Sequence, residues 1–557
     1  MNSATPGFDA QPQQIAQRVR ARGDANAALR AFAGMVCLLA ILLVSLPILL
    51  RCPLWADAIT FDCYAQIMQQ GGSFYTDAYE VNLPGMAWLH LLVRSLFGWS
   101  DLALRSVDFA IIMIISVLAT RWIPSARGKI WVVIGILGFY VSSPEIYHCQ
   151  RDFWMILPML LALECRLKVN ASLAKDQHKS TRFGPATRWT VLEGLMWGAA
   201  IWIKPYAFMA IPPVILISIV HHRKSDPRVI PVVKNLAILL LSGLFAGLLG
   251  IAGLALTGSL SGFVEVMVAW RPVYDSNSGL AFLISRFGQW QFQYAPWSYL
   301  VYIGLVLAIS ACVRVGRRQE TWESLRGPLL GAFFLGWLAQ AVTLQHPHVY
   351  VLGATLPIAI MLVIHYLAES RPRGRITFGA VVFSSVALFM SPAISPDRVS
   401  LWTACLQSGN RDQIRDNLAL ITHSAGQTSW QELRRVAQFL RSQGIKDGEL
   451  TCYHISAQPL YLELKVKPST RFLSVNRMAM NYGSRIHIVM RELAASKQKF
   501  IVTDLLHTPN YSLTAEARQT LPKLPDNVPA NYRRAFPWRQ PVVFRSGRYL
   551  VHRVRAR

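Results

Sequence analysis

Four carboxylates stand immediately beside apolar runs in this sequence: Asp57 in WADAITF, Asp77 and Glu80 in YTDAYE, and Asp152 in HCQRDFW. A carboxylate at a membrane boundary is partly desolvated, which strengthens its basicity and suits it to take a proton from a hydroxyl. Cations occupy the same kind of segment: Arg151, Lys204, Arg271, Arg286 and the pair His346 and His348. Charge building on the oxygens of a phosphate leaving group is met best by Lys and Arg already in place. Plainer roles exist for each. Asp57 also suits a helix N-cap, Lys204 a side chain snorkelling to the interface, and the histidines hydrogen-bonded caps. The His-x-His spacing alone does not specify a metal, so a divalent ion is left open as a cofactor.

The elements that must position these residues are mostly membrane spans. Of 557 residues, 53% are hydrophobic and 15% charged, against about a quarter charged in soluble chains. The mean hydropathy is +0.32. Apolar runs long enough to span recur near 29–50, 103–120, 130–143, 153–167, 189–203, 206–221, 235–257, 296–312, 327–343, 349–367 and 376–391, which predicts about eleven transmembrane helices. Lys204-Pro205 interrupts one apolar stretch, and two helices meeting at the membrane face are expected there, because a lysine in mid-bilayer is costly. The first run ends in Arg51-Cys52-Pro53 without a small-x-small cleavage site and is expected to stay as an anchor.

Charge fixes the expected orientation. When the spans are threaded alternately, the N-terminal arm and the basic segments 121–129, 166–188, 221–228, 314–326 and 371–375 fall on one side, which the positive-inside rule makes cytoplasmic. The net charge of +26 is therefore spent on membrane orientation, and nucleic acid is not an expected partner. The opposite face receives 51–101, 144–152, 258–295, 345–348 and everything after about Ser391. All four carboxylates lie in or at those segments.

Segment 51–101 reads as two helices lying at the interface, Ala58–Gln70 and Gly85–Phe97, with Gly71-Gly72 closing the first. Beyond Ser391 the composition becomes that of a soluble domain. An amphipathic helix over Trp430–Gln443, strands at Glu449–Tyr453, Lys499–Thr503 and Gln540–Phe544, and a helix over Ile486–Ala495 predict a small α/β domain. The expected division is a cytoplasmic arm, 1–30, a transmembrane module, 31–391, and a periplasmic C-terminal domain, 392–557. Eight cysteines show no metal-ligand spacing; Cys405 and Cys452 are placed where a disulfide is permitted.

The stretch ADAITFDCYAQIMQQGGSFYTDAYEVNLPGMAWLHLL resembles the first external loop of GT-C glycosyltransferases of the protein-mannosyltransferase and aminoarabinose-transferase type. The shared features are an Asp after the first span, an interfacial helix ending in Gly, a Tyr-x-Asp link, and Pro-Gly opening a second helix. HCQRDFWMILPMLLAL, GLMWGAAIWIKPYAF and QHPHVYVLGATLP are similar to three later stretches of one bacterial branch, and the resemblance covers roughly residues 30–390. It implies a GT-C-like fold, an undecaprenyl- or other polyprenyl-phosphate sugar as donor, and a cell-envelope glycan, lipid or protein as acceptor. It makes Asp57 and Asp152 the catalytic residues, Asp57 as the base and Asp152 as the acidic residue of the second loop. Asp77 and Glu80 would shape the donor or acceptor site, Arg151 and Lys204 would hold the lipid phosphate, and Gln150, His346 and His348 would complete the substrate contacts. This chain departs from many relatives in having Ala58 after the Asp and Leu83 where a lysine precedes the proline.

The reaction expected is a single-step, inverting transfer with Asp57 as general base. Two other classes also place charge at membrane depth. A glycolipid transporter or flippase would show paired repeats and helices broken at the midplane; in a non-catalytic envelope-assembly subunit the C-terminal domain would be the working part.

Overall fold

The structure is a computed structural model and describes residues 32–34, 36, 39, 40, 42, 43, 45–175, 184–225, 230–275, 295–317, 324–345, 349–369, 383, 386, 387, 402, 403, 405, 406, 411–419, 428–507, 534 and 536–555. Wherever they are described, residues 32–51 are helical. Two helices follow in 51–101, the first of the segments expected to be external, α1 (Ala56–Gln69) and α2 (Gly85–Phe97). The bundle continues with α3 (Asp101–Thr120), α4 (Ala126–Ser142), α5 (Ile156–Lys175), α6 (Pro185–Ile203), α7 (Ile211–Ser225), α8 (Ile230–Leu256), α9 (Tyr299–Arg317), α10 (Arg326–Thr343) and α11 (Thr355–Glu369). Among the described residues, four stretches are long and apolar enough to cross a membrane: Asp101–Thr120, Pro205–Lys224, Ile230–Leu256 and Tyr350–Leu367. The last expected span, 376–391, lies outside the described residues except at 383, 386 and 387.

Neighbours in sequence pack as neighbours in space, α3 on α4 and α5 on α6, and α8 returns to pack on α6. That last contact needs a small residue: a Cβ on Gly198 would stand 2.4 Å from the Cβ of Ala246. Close approach of this kind is how helices associate where no water drives them together. The outer face of α8 is bare. Leu240, Leu241, Leu244, Leu248 and Leu256 are all more than half exposed, a continuous apolar surface that demands lipid or a partner.

Polar bonds tie the external segments to the bundle. Arg105, buried near the start of α3, bonds His148 and the carbonyl of Pro53. One turn on, Asp108 accepts from the Tyr140 hydroxyl and, at 2.7 Å, from the Trp154 indole. The second external segment is thereby held against α3, with Gln150 and Asp152 fixed at its end.

Within the first external segment, α1 and α2 share one buried carboxylate. Asp62 accepts from His90 Nδ1 at 2.9 Å, from Arg94 Nε at 2.8 Å and from Arg94 Nη2 at 2.5 Å. Burial alone would raise the Asp62 carboxyl, but these bonds outweigh it and hold the group below its ordinary value. The pairing is therefore complete above the ordinary carboxylate value of about 3.9 and is lost as pH falls below it. Removing one partner of a buried pair leaves the other charge uncompensated, at a cost of about 3–5 kcal/mol. Asp62→Asn is expected to lower the melting temperature of the detergent-solubilised protein by several degrees. An unchanged melting curve would show that the pair contributes nothing to holding α1 on α2.

The start of α2 abuts the end of α6. A Cβ on Gly85 would lie 2.3 Å from the carbonyl oxygen of Trp202, so only glycine allows the approach. The Pro84-Gly85 dipeptide thus places the first external segment directly against the backbone that leads into Lys204.

The C-terminal part carries a four-stranded sheet in the order β1-β2-β4-β3, with β1 (Leu450–Cys452) parallel to β2 (Phe500–Asp504) and the hairpin β3 (Val542–Ser546) and β4 (Tyr549–Arg553) antiparallel. Helix α12 (Trp430–Ser442) buries Leu433, Val436, Ala437 and Leu440, the apolar face visible in its sequence. Three shorter helices follow: α13 (Pro459–Leu464), α14 (Val475–Asn481) and α15 (Ile486–Ala495). No two of the seven described cysteines are joined by a disulfide, Cys405 and Cys452 included, and both of these are buried.

This unit is docked on the first external segment. Thr60 Oγ1 donates to Gln458 Oε1 at 2.7 Å, Gln66 Nε2 to the Tyr461 carbonyl at 3.1 Å, and the Tyr79 amide to the Arg471 carbonyl at 2.8 Å. The rings of Tyr79, Trp270, Phe472 and Tyr482 pack together over the junction. Each such ring pair adds about 0.5–1.5 kcal/mol beyond the area it buries.

Candidate active site

Asp57 is the second residue of α1, the N-cap being Trp55. The first-turn N–H dipoles favour its ionised form. Its side chain is 18% exposed, and Oδ1 lies 3.7 Å from Nη1 of Arg477 on α14, in the C-terminal unit. Its field is also felt at Lys204 and at Tyr350. One carboxylate therefore interacts with groups from three distant parts of the chain.

Lys204 is the residue at which α6 ends, and Pro205 forces the change to a short 3-10 turn before α7. Its buried ammonium donates to Asp152 Oδ1 at 2.6 Å and to the side-chain oxygen of Gln345. Burial pushes the ammonium down to about 8, against the pull of Asp152. Asp152 itself is wholly buried, and its second oxygen has no hydrogen-bond partner among the described residues. Arg151, next in the chain, makes no hydrogen bond or ion pair with a described residue, while Tyr350, Asp152 and Glu80 keep it firmly protonated against the cost of its burial.

A cleft opens between the first external segment and the C-terminal unit, lined by Tyr64, Glu80, Tyr274, Gln458, Arg477 and their neighbours. Glu80 is buried at its wall and accepts from both the amide and the side chain of Asn82. Burial works against the charge on Arg477, and Asp57 and Glu80 more than compensate, holding the guanidinium above its ordinary range. The carboxylates Asp57 and Glu80 are thus coupled through their charges to the cation Arg477, and Asp57 also to Lys204.

No known family model matches this sequence, and no curated protein does. Solved structures do. Apo ArnT from Cupriavidus metallidurans matches at a TM-score of 0.55 and 14% identity, over 94% of this chain and 98% of that chain. The same protein bound to undecaprenyl phosphate matches at 0.52 and 13%, over 95% and 98%. The chain has the fold of ArnT.

Within this ArnT-like fold the chain brings Asp57, Glu80, Arg151, Asp152 and Lys204 to one neighbourhood. Asp77 stands apart: exposed, it accepts from the Ser73 amide at 2.7 Å and closes a turn. Gln150 is buried and bonds the Ile146 carbonyl at 2.9 Å, bracing the second external segment. Arg271 bonds the Tyr206 hydroxyl at 3.0 Å. His346, His348 and Arg286 lie outside the described residues. Gln345, Tyr350 and Arg477 were not foreseen as site residues. The first two fall inside the QHPHVYVLGATLP stretch and were within reach of its reading; Arg477 sits in SVNRMAM, which carries no signal. Among the described residues no group of three or more His, Cys, Asp or Glu side chains is arranged to hold a metal.

Proposed function

We propose that this protein is an integral-membrane glycosyltransferase that moves a sugar from a polyprenyl-phosphate carrier, undecaprenyl phosphate in a bacterium, to a hydroxyl of an envelope acceptor at the periplasmic face of the inner membrane. The observation that carries the reading is a partly exposed carboxylate, Asp57, whose charge is felt at Lys204 together with that of Arg151. The likeness to ArnT, crystallised with undecaprenyl phosphate, supports the donor class.

In the reaction, the acceptor hydroxyl attacks the anomeric carbon as its proton passes to Asp57. The bond from that carbon to the phosphate oxygen breaks, the configuration inverts, and the carrier phosphate leaves with the electron pair. Arg151 is the cation open to that phosphate, and Lys204 stands behind it. Asp152 works through Lys204, fixing the ammonium and taking no part in proton transfer. The acceptor is drawn from lipid A, surface polysaccharide or secreted protein.

The test is mass spectrometry of envelope glycolipids and glycans from cells with and without the protein, paired with transfer from purified undecaprenyl-phosphate sugar in reconstituted vesicles. Loss of one defined sugar in cells and transfer in vesicles are expected. Carrier-lipid movement across the vesicle without any transfer would replace this reading with that of a transporter.

A further inference from the structure

We propose that Arg477 is a positioning residue for Asp57, supplied by the C-terminal unit, so that the site is complete only while that unit is docked; this rests on the glycosyl-transfer reading above. The 3.7 Å separation of Arg477 Nη1 from Asp57 Oδ1 is beyond hydrogen-bond reach. Arg477 therefore acts on the carboxylate by its charge and does not itself occupy the oxygen that must receive a proton. Among the described residues, the groups that interact with Asp57 from the elements around it include Lys204 at the end of α6, Tyr350 from 349–353, and Arg477. Among the described residues, Lys204 is bonded to Asp152 and Gln345, and Arg477 is a cation within ion-pair range of Asp57.

The helix that carries Arg477 is held on both sides. The Ser474 hydroxyl and the Asn476 amide bond the Tyr453 carbonyl at 3.2 and 2.9 Å, fixing its start on the sheet. Upstream, Arg471 grips Glu265 through two bonds of 2.9 and 3.0 Å and pairs with Glu492 at 3.0 Å. Its carbonyl takes the Tyr79 amide. These bonds join the C-terminal unit to the first external segment and to 260–265, so the guanidinium is delivered to Asp57 by a packed junction. A domain that merely hung from the bundle would have no such fixed reach.

The experiment compares Arg477→Met, Arg477→Lys and Asp57→Asn in the full-length protein, in membranes at equal expression, with melting temperature as a folding control. Arg477→Met is expected to lower kcat about tenfold to a hundredfold through misalignment of the base, with little change in donor KM. Without the neighbouring cation, the acid limb of its kcat profile moves up by about one pH unit. Arg477→Lys restores most of both. Wild-type kcat and an unmoved acid limb in Arg477→Met overturn the proposal. So does a rise confined to donor KM, which makes Arg477 a phosphate contact, and so does a lowered melting temperature with the acid limb in place, which makes it structural. If Asp57→Asn retains wild-type transfer, the glycosyl-transfer reading fails first; if Asp57→Asn is inactive and Arg477→Met is normal, only the present inference fails.

Discussion

Asp57→Asn is expected to lower kcat about 10²- to 10⁴-fold, the range associated with loss of a general base, while donor KM stays within a few-fold of wild type. Asn keeps the shape and the helical position but cannot take a proton from the acceptor hydroxyl. The contact with Arg477 loses its charge and not its geometry, so the fold is expected to survive the change. Initial rates of sugar transfer in membranes at matched expression check the prediction. Transfer within a few-fold of wild type would remove Asp57 from the chemistry and leave it as an acidic residue in the first turn of α1.

The second large effect concerns the donor. Lys204→Met is expected to reduce kcat/KM for the polyprenyl-phosphate sugar about tenfold to 150-fold, the equivalent of 1.5–3 kcal/mol for a charge-assisted bond. The substitution also strands Asp152, which accepts from Lys204 at 2.6 Å and is wholly buried. An uncompensated buried charge costs about 3–5 kcal/mol, so lost stability must be separated from lost binding. The double variant Lys204→Met with Asp152→Asn removes the stranded charge. Its melting temperature is expected to recover while donor use stays poor. Recovery of both would make Lys204 a structural partner of Asp152 and nothing more. A pH profile gives an independent check. Because burial lowers the ammonium to about 8, it loses its proton as pH rises through that value, and kcat/KM for the donor falls on the alkaline side. That limb disappears in Lys204→Met.

What could be read from the sequence was local. The interruption at Lys204-Pro205 is legible because proline cannot donate within a helix, and α6 does end at Ile203. Helix α2 occupies Gly85–Phe97, as its Pro-Gly start implies, and α1 begins two residues before the expected Ala58, at Ala56. Strands β1, β2 and β3 lie within two residues of their expected starts, since short β-branched and aromatic runs bounded by turns mark them. Strand β4 was missed. Its sequence, YLVHR, runs into a basic tail and reads as polar, yet His552 is buried because its ring meets the Thr503 hydroxyl at 2.8 Å on the paired strand. The same blindness to partners hid the buried Asp62 cluster: His90 and Arg94 are visibly one turn apart, but nothing marks Asp62 as their common acceptor. Asp77 looked like its acidic neighbours because a turn-closing carboxylate and a cleft carboxylate share one composition. Arg477 is separated from Asp57 by most of the chain, and only the docking of the C-terminal unit makes them neighbours.

The contact between Gly85 and the Trp202 carbonyl sets a boundary for protein engineers. On the proposed reading, the link that shapes one side of the cleft, residues 76–83, can be varied in a search for new recipients of a sugar. Position 85 cannot join that library, because even one methyl group there would jack the loop away from the strut that seats the lysine, and selection would then discard variants for a mechanical fault unrelated to their specificity.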